Sequence, residues 1–154
     1  MKHPDILDTI RQMRATKAII HLDNLRHNIR TIRNILKEET RICAAVKADA
    51  YGHGAVEVSR TAIEEGVSCL GVATSGEAEE LRNAGITCPI LLLALPIPEE
   101  IPLLIDLSVS PLISDTTAVD LIDRECGKRN KRASVHLDID TGMASQKIQE
   151  KRFY

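Results

Sequence analysis

Ile90-Leu91-Leu92-Leu93 is the stretch that decides the fold. It has no polar side to turn to water, and Pro89 stands immediately before it. A short apolar run of this kind reads as a strand buried on both faces, and such strands belong to parallel sheets covered by helices. Working outward, apolar runs recur at Ile42–Val46, Cys69–Ala73, Val109–Ile113 and Ser134–Ile139. Between them lie helical patterns at Ala55–Glu65, Ser75–Ala84, Pro98–Leu107 and Thr116–Lys128. Gly66 and Gly85 follow the first two as helix stops, and Pro98 reads as a helix opener. Upstream, Ala18–Leu22 reads as a short strand, and Asp23 as the cap of a helix whose apolar face is Leu25, Ile29, Ile32 and Leu36. From Ile42 on, strand and helix alternate, which predicts an α/β fold with a parallel sheet. An open doubly wound sheet and a (β/α) barrel share this pattern. The first strand–helix turn lacks G-x-G-x-x-G, which disfavours the dinucleotide-binding version.

Composition narrows the function. Of 154 residues, 44% are hydrophobic, enough for one domain with a core. Twenty basic and 22 acidic residues nearly cancel, so nothing marks a nucleic-acid surface. The aromatic residues are Tyr51, Phe153 and Tyr154, too few for a base-stacking platform. Cys43, Cys69, Cys88 and Cys126 form no C-x-x-C pair, so they read as small core residues of a reducing, cytoplasmic compartment. No apolar run is long enough for a membrane helix, and Met1–Thr16 is too charged for a signal peptide.

The chemistry concentrates in Val46-Lys47-Ala48-Asp49-Ala50-Tyr51-Gly52-His53-Gly54. Lys47 ends an apolar strand, and a lysine there points into a site. In a partly dry pocket such an amine can lose its proton and form a Schiff base with a carbonyl. Tyr51 and a glycine-opened helix N-terminus follow at the right distance to hold a phosphate. Amine and phosphate site together suggest pyridoxal phosphate. A merely solvated lysine beside a common Gly-x-Gly loop is the plainer alternative. Asp49 reads either as a partner of Lys47 or Tyr51 or as a turn-stabilising aspartate. His53 reads as phosphate-adjacent or as a cap, while His21, His27 and His136 look structural. Asp138 and Asp140 alternate on a strand, but no third metal ligand is apparent, so no metal is expected.

V-K-A-D-A-Y-G-H-G resembles the signature of the alanine racemases. Supporting segments are Arg14-Ala15-Thr16 with Ala18–Asn28, Leu70–Thr74 with Glu77-Ala78 and Leu81–Ile86, Pro89–Leu93, and Val135–Met143. The resemblance selects the barrel: the N-terminal portion of a (β/α)8 TIM-type barrel, about four strand–helix units plus a fifth strand, incomplete against the ~250 residues of a closed barrel. The domain reading is an N-terminal extension at 1–16, a partial barrel at 17–143, and a divergent tail at 144–154. Lys47 then falls at the C-terminal end of the first strand, the active-site end of such barrels.

The resemblance implies interconversion of L- and D-alanine, which supplies D-alanine for peptidoglycan. Lys47 would carry pyridoxal 5'-phosphate and serve one face of the substrate, and Tyr51 would contact the phosphate. A tyrosine supplied across a homodimer interface, from the second half of the enzyme, would serve the other face. That tyrosine and the arginine facing the pyridine nitrogen are expected beyond residue 154, so little racemase activity is expected of these residues alone. Two positions depart from the family's pattern. Asp138 stands where many members carry a carbamylated lysine, and Ser145 where a substrate-facing arginine is expected. The alternatives are a non-catalytic pyridoxal-phosphate-binding barrel protein and a noncatalytic oligomerisation fragment.

Overall fold

A computed structural model describes residues 17–139. Five strands, β1 (Cys43–Ala45), β2 (Cys69–Val72), β3 (Ile90–Leu92), β4 (Val109–Ile113) and β5 (His136–Leu137), form one sheet in the order β1-β2-β3-β4-β5. Every neighbouring pair is parallel, with Cys43 opposite Cys69, Leu70 opposite Ile90, Leu92 opposite Pro111 and Ile113 opposite Leu137. A doubly wound sheet reverses its strand order at a switch point. This one advances by one neighbour at each step, as one arc of a (β/α) barrel does.

The helices are α1 (Leu22–Ile35), α2 (Ala55–Glu64), α3 (Ser75–Asn83), α4 (Ile101–Asp106) and α5 (Thr116–Arg129). They cover one side of the sheet. Val46, Leu70, Val72, Ile90 and Leu92 point to that side and are at most 1% exposed, packed with Ala62, Ala78, Leu81 and Leu104 from the helices. A second cluster joins Ile113 to Ile101, Ile105, Ile122 and Cys126. The other side is barer: Leu91 and Leu93 are half-buried, and Cys43 and Ala45 are exposed. So Ile90–Leu93 is fully buried on its helix side only, because no second layer lies over the opposite side among the described residues. Of the cysteines, Cys126 alone is buried; all four are free.

Three local expectations are corrected. Ala18–Ile20 forms no strand, and Ile19 is 75% exposed, although the outer edge of β1 is unpaired among the described residues. Leu22 already belongs to α1. Its N-cap is His21, without a side-chain cap, so Asp23 lies inside the first turn, where a carboxylate still favours the helix dipole. On the α1 face, Ile29 is buried but Ile32 is 48% exposed. Pro98 starts a turn, not a helix: Glu100 N–H donates to the Ile97 carbonyl, and α4 begins at Ile101 with Pro102 in its first turn. Proline is tolerated there because first-turn N–H groups lack intrahelical partners.

At the strand N-terminal end, two arginines tie successive loops together. Arg33 donates to the carbonyls of Thr40 (2.6 Å) and Gly66 (2.7 Å). Arg82 donates to those of Ile86 (2.8 Å), Cys88 (2.8 Å), Leu107 (2.9 Å) and Ser108 (3.3 Å). Between α1 and α2, Arg30 grips Glu65 through two bonds of 2.6 Å, and Arg26 lies 2.7 Å from Glu64. Among the described residues no helix is long and apolar enough to cross a membrane. The expected tail at 144–154, the extension at 1–16, and Asp140 and Ser145 lie outside the described residues.

Candidate active site

The ladder between β1 and β2 continues one bond past β1, from Val46 N–H to the Gly71 carbonyl at 2.8 Å. Val46 then leaves the strand (φ −115°, ψ 14°) and Lys47 follows, half-buried, at the C-terminal end of β1. Beside it, Ala45 and Gly71 occupy paired positions. Gly71 is small for a packing reason: a Cβ there would stand 2.6 Å from Leu93 Cδ1.

The next residues do something the sequence did not predict. Ala48, Asp49, Ala50 and Tyr51 all take left-handed helical angles, with φ between 51° and 55°. The sequence pattern predicts a helix only from Ala55 on, yet the chain already winds here, left-handed, for one turn. Each such L-residue costs roughly 1–2 kcal/mol. Gly52 (φ 82°) and Gly54 (φ 89°) continue in positive φ, where glycine is strain-free. Two carboxylates hold the turn. Asp49 Oδ1 accepts from Ala55 N–H at 2.7 Å, and the Asp49 carbonyl accepts from His53 and Gly54 N–H at 2.9 and 3.0 Å. Glu77 Oε1 accepts from Ala48 N–H at 2.7 Å, while its Oε2 accepts from Ala73 N–H at 2.7 Å and Thr74 N–H at 3.3 Å.

Of the sequence readings, the turn-stabilising one fits Asp49, whose side chain bonds the start of α2. The N–H of Ala55 is thereby taken, and an acidic group sits at the helix end the sequence offered to a phosphate. Tyr51 lies four residues past Lys47, 61% exposed. His53 Nδ1 is 2.8 Å from the Ala50 carbonyl, so it serves the turn. Asp138 is half-buried and extends the β4–β5 ladder through its N–H to the Ile113 carbonyl (2.8 Å). Among the described residues no three His, Cys, Asp or Glu side chains gather as metal ligands. Sequence reading missed Glu77 as a site residue. Its signal was present: Thr74-Ser75-Gly76-Glu77 is a capping box, and both of its reciprocal bonds form at the start of α3.

The comparisons with known proteins agree with this geometry. Residues 20–148 match the family model described as alanine racemase, N-terminal domain. The alanine racemase of Treponema denticola is 56% identical over 131 residues, covering 85% of this chain and 35% of that protein. Among solved structures, alanine racemase of Clostridium difficile 630 aligns with a TM-score of 0.75 at 40% identity, covering 76% of this chain and 31% of that one. The Bacillus anthracis alanine racemase with bound L-Ala-P aligns with a TM-score of 0.78 at 33% identity, covering 85% and 34%. The chain thus spans about a third of the length of the relatives it matches. With the lysine at the end of β1, the sequential parallel sheet and a family match over most of its length, the chain belongs to the alanine racemase family, to its N-terminal domain.

Proposed function

We propose that these residues carry the cofactor-attaching lysine of an enzyme that interconverts L- and D-alanine with pyridoxal 5'-phosphate. The observation that carries the reading is the position of Lys47, half-buried at the C-terminal end of β1, with the Tyr51 hydroxyl presented one left-handed turn later. The residues fit the group. Among the described residues no carboxylate pairs with the Lys47 amine, the neighbouring positions Ala45 and Gly71 are small, and the Tyr51 phenol is exposed. When bound, the cofactor's ring takes up the electron pair released as the substrate Cα proton leaves. Lys47 supplies the attaching nitrogen and then holds or returns the Cα proton on one face. Tyr51 steadies the phosphate through its hydroxyl. The group for the opposite face and a second, homodimeric subunit come from outside these residues. The alanine substrate and a cytoplasmic setting complete the proposal; the four free thiols support the latter.

The test is incubation with pyridoxal phosphate, borohydride reduction and peptide mapping. Label is expected on Lys47 and is lost in Lys47→Ala. Tyr51→Phe should loosen retention by ~1–3 kcal/mol, one bond to a charged group. Label spread over surface lysines with Lys47 unmodified would reject the reading. Purified chain should form D-alanine from L-alanine little faster than cofactor alone, because one positioned acid–base group accounts for about 10²–10⁴-fold.

A further inference from the structure

We infer that Glu77 is the positioning residue of the lysine site: its carboxylate fixes the peptide joining Lys47 to Ala48 and so sets where the lysine amine and the Tyr51 phenol stand. The inference rests on the reading of Lys47 given above and extends it to a residue on a different strand–helix unit.

The argument starts from what helix capping requires and what it does not. A capping box needs Glu77 to accept from the N-cap backbone and Thr74 Oγ1 to accept from Glu77 N–H, and both bonds are present (3.3 and 3.2 Å). The two shortest bonds of the Glu77 carboxylate lie outside that pattern. Oε2 takes Ala73 N–H at the end of β2, and Oε1 reaches across to Ala48 N–H, both at 2.7 Å. One anion therefore joins the C-terminal ends of two adjacent parallel strands, and charge-assisted bonds of that length are the stronger kind. The Ala48 N–H belongs to the first of the four left-handed residues. That conformation is disfavoured for L-residues and persists only where the surroundings impose it. Asp49 secures the far side of the turn through Ala55 N–H. Glu77 secures the near side, next to Lys47. Released from Glu77, the Lys47–Ala48 peptide is free to leave φ +52° for an ordinary right-handed or extended geometry, which swings both functional side chains away from their present places.

Glu77→Gln and Thr74→Ala separate this role from capping. Gln keeps one acceptor oxygen but no charge, and cannot serve three donors; Thr74→Ala removes the cap and leaves the carboxylate. Two readouts are taken on each full chain: amide hydrogen exchange at Ala48, without cofactor, and the rate at which borohydride fixes a pyridoxyl group on Lys47. In Glu77→Gln, Ala48 exchange should rise and Lys47 labelling fall, each by about tenfold or more, the factor expected for losing one bond to a charged group. Thr74→Ala should lower the melting temperature and leave both readouts within twofold of wild type. If Glu77→Gln behaves like Thr74→Ala in both, the inference is overturned. If wild type takes no label on Lys47 while Ala48 exchange still responds to Glu77→Gln, the functional reading fails and the clamp stands. Should Glu77→Gln not fold, wild type alone decides. The Ala48 amide resonance must then move with the ionisation of Glu77 as pH is lowered, and an unmoved resonance overturns the inference.

Discussion

Replacing Arg82 by methionine keeps the aliphatic stem and removes four backbone bonds at once. The guanidinium bridges the α3–β3 loop, through Ile86 and Cys88, to the α4–β4 loop, through Leu107 and Ser108. Burial lowers its pKa below the ordinary arginine value, the sign expected when a cation gives up water for carbonyl partners. Bonds to charged groups contribute ~1.5–3 kcal/mol each when buried. Three of the four are 2.9 Å or shorter. Simple addition would give about 4.5–9 kcal/mol. The side chain is only half-buried, however, and the released carbonyls regain water, so the expected loss is about 2–4 kcal/mol. At close to 4 °C per kcal/mol for a chain of this size, the melting temperature should fall by roughly 8–15 °C. Thermal unfolding followed by circular dichroism measures it, with urea titration to confirm an unchanged m-value. Arg82→Lys is the informative control, since an ammonium keeps the charge but cannot fork to two loops and should recover less than half the loss. A loss below about 1 kcal/mol in Arg82→Met, or full stability in Arg82→Lys, would refute the reasoning.

Ser59 is fully buried and its hydroxyl has no partner among the described residues, so Ser59→Ala should stabilise the chain by about 1 kcal/mol in urea titration. Gly71→Ala places a Cβ 2.6 Å from Leu93 Cδ1 and should cost ~1–3 kcal/mol, most of it restored when Leu93→Ala is added. The Arg30 bond holds the Glu65 carboxyl below its usual range, and the Lys131 bond does the same for Asp106. A depressed carboxylate pKa contributes stability present above the unfolded value and lost as pH falls through the folded one. The urea midpoint should therefore drop between about pH 5 and 3, and the drop should shrink in Arg30→Gln and in high salt. Ala48 is exposed and left-handed at φ 52°, so Ala48→Gly should raise stability by about 1 kcal/mol in the same titration, because glycine meets no Cβ penalty there.

Most of the fold could be read from the sequence because its strands are apolar runs and its helices are punctuated. β1 to β5 fall within the expected runs, and Gly66 and Gly85 do stand at positive φ after α2 and α3. The expectations that missed were those decided by neighbours rather than by local pattern. Ala18–Leu22 has strand composition, yet Ala18–Ile20 makes no ladder with the open edge of β1 and Leu22 is taken into α1. On α2 the fully buried residues are the small Ala55, Ser59, Thr61 and Ala62, while the larger Val56 and Ile63 pack against the core only partly buried. At the candidate site, Lys47 and Tyr51 were legible as residue types in a motif. The left-handed turn between them was not, since Ala48-Asp49-Ala50-Tyr51 contains no glycine to announce it. Glu77 was legible as a cap only, because its reach to Ala48 depends on the pairing of β1 with β2.

The turn explains why a lysine site can be built at a strand end that carries so little other apparatus. Had the chain continued right-handed after Val46, Ala48 to Tyr51 would follow the propensity their sequence suggests, and no outside bond would be needed to hold them. The four left-handed residues instead cost roughly 4–8 kcal/mol in all, a large part of a domain's usual stability. That cost is offset from two directions. Within the chain segment, Asp49 closes the turn onto the start of α2. From the neighbouring unit, Glu77 draws Ala48 towards the end of β2. Of these two, the Asp49 bond is available to the first unit alone, while the Glu77 bond exists only once β2 lies beside β1 in register and α3 is capped. Placement of Lys47 is thereby coupled to the pairing of the first two strand–helix units: the lysine end of β1 takes its geometry from the sheet, and the sheet must be assembled before the site has one.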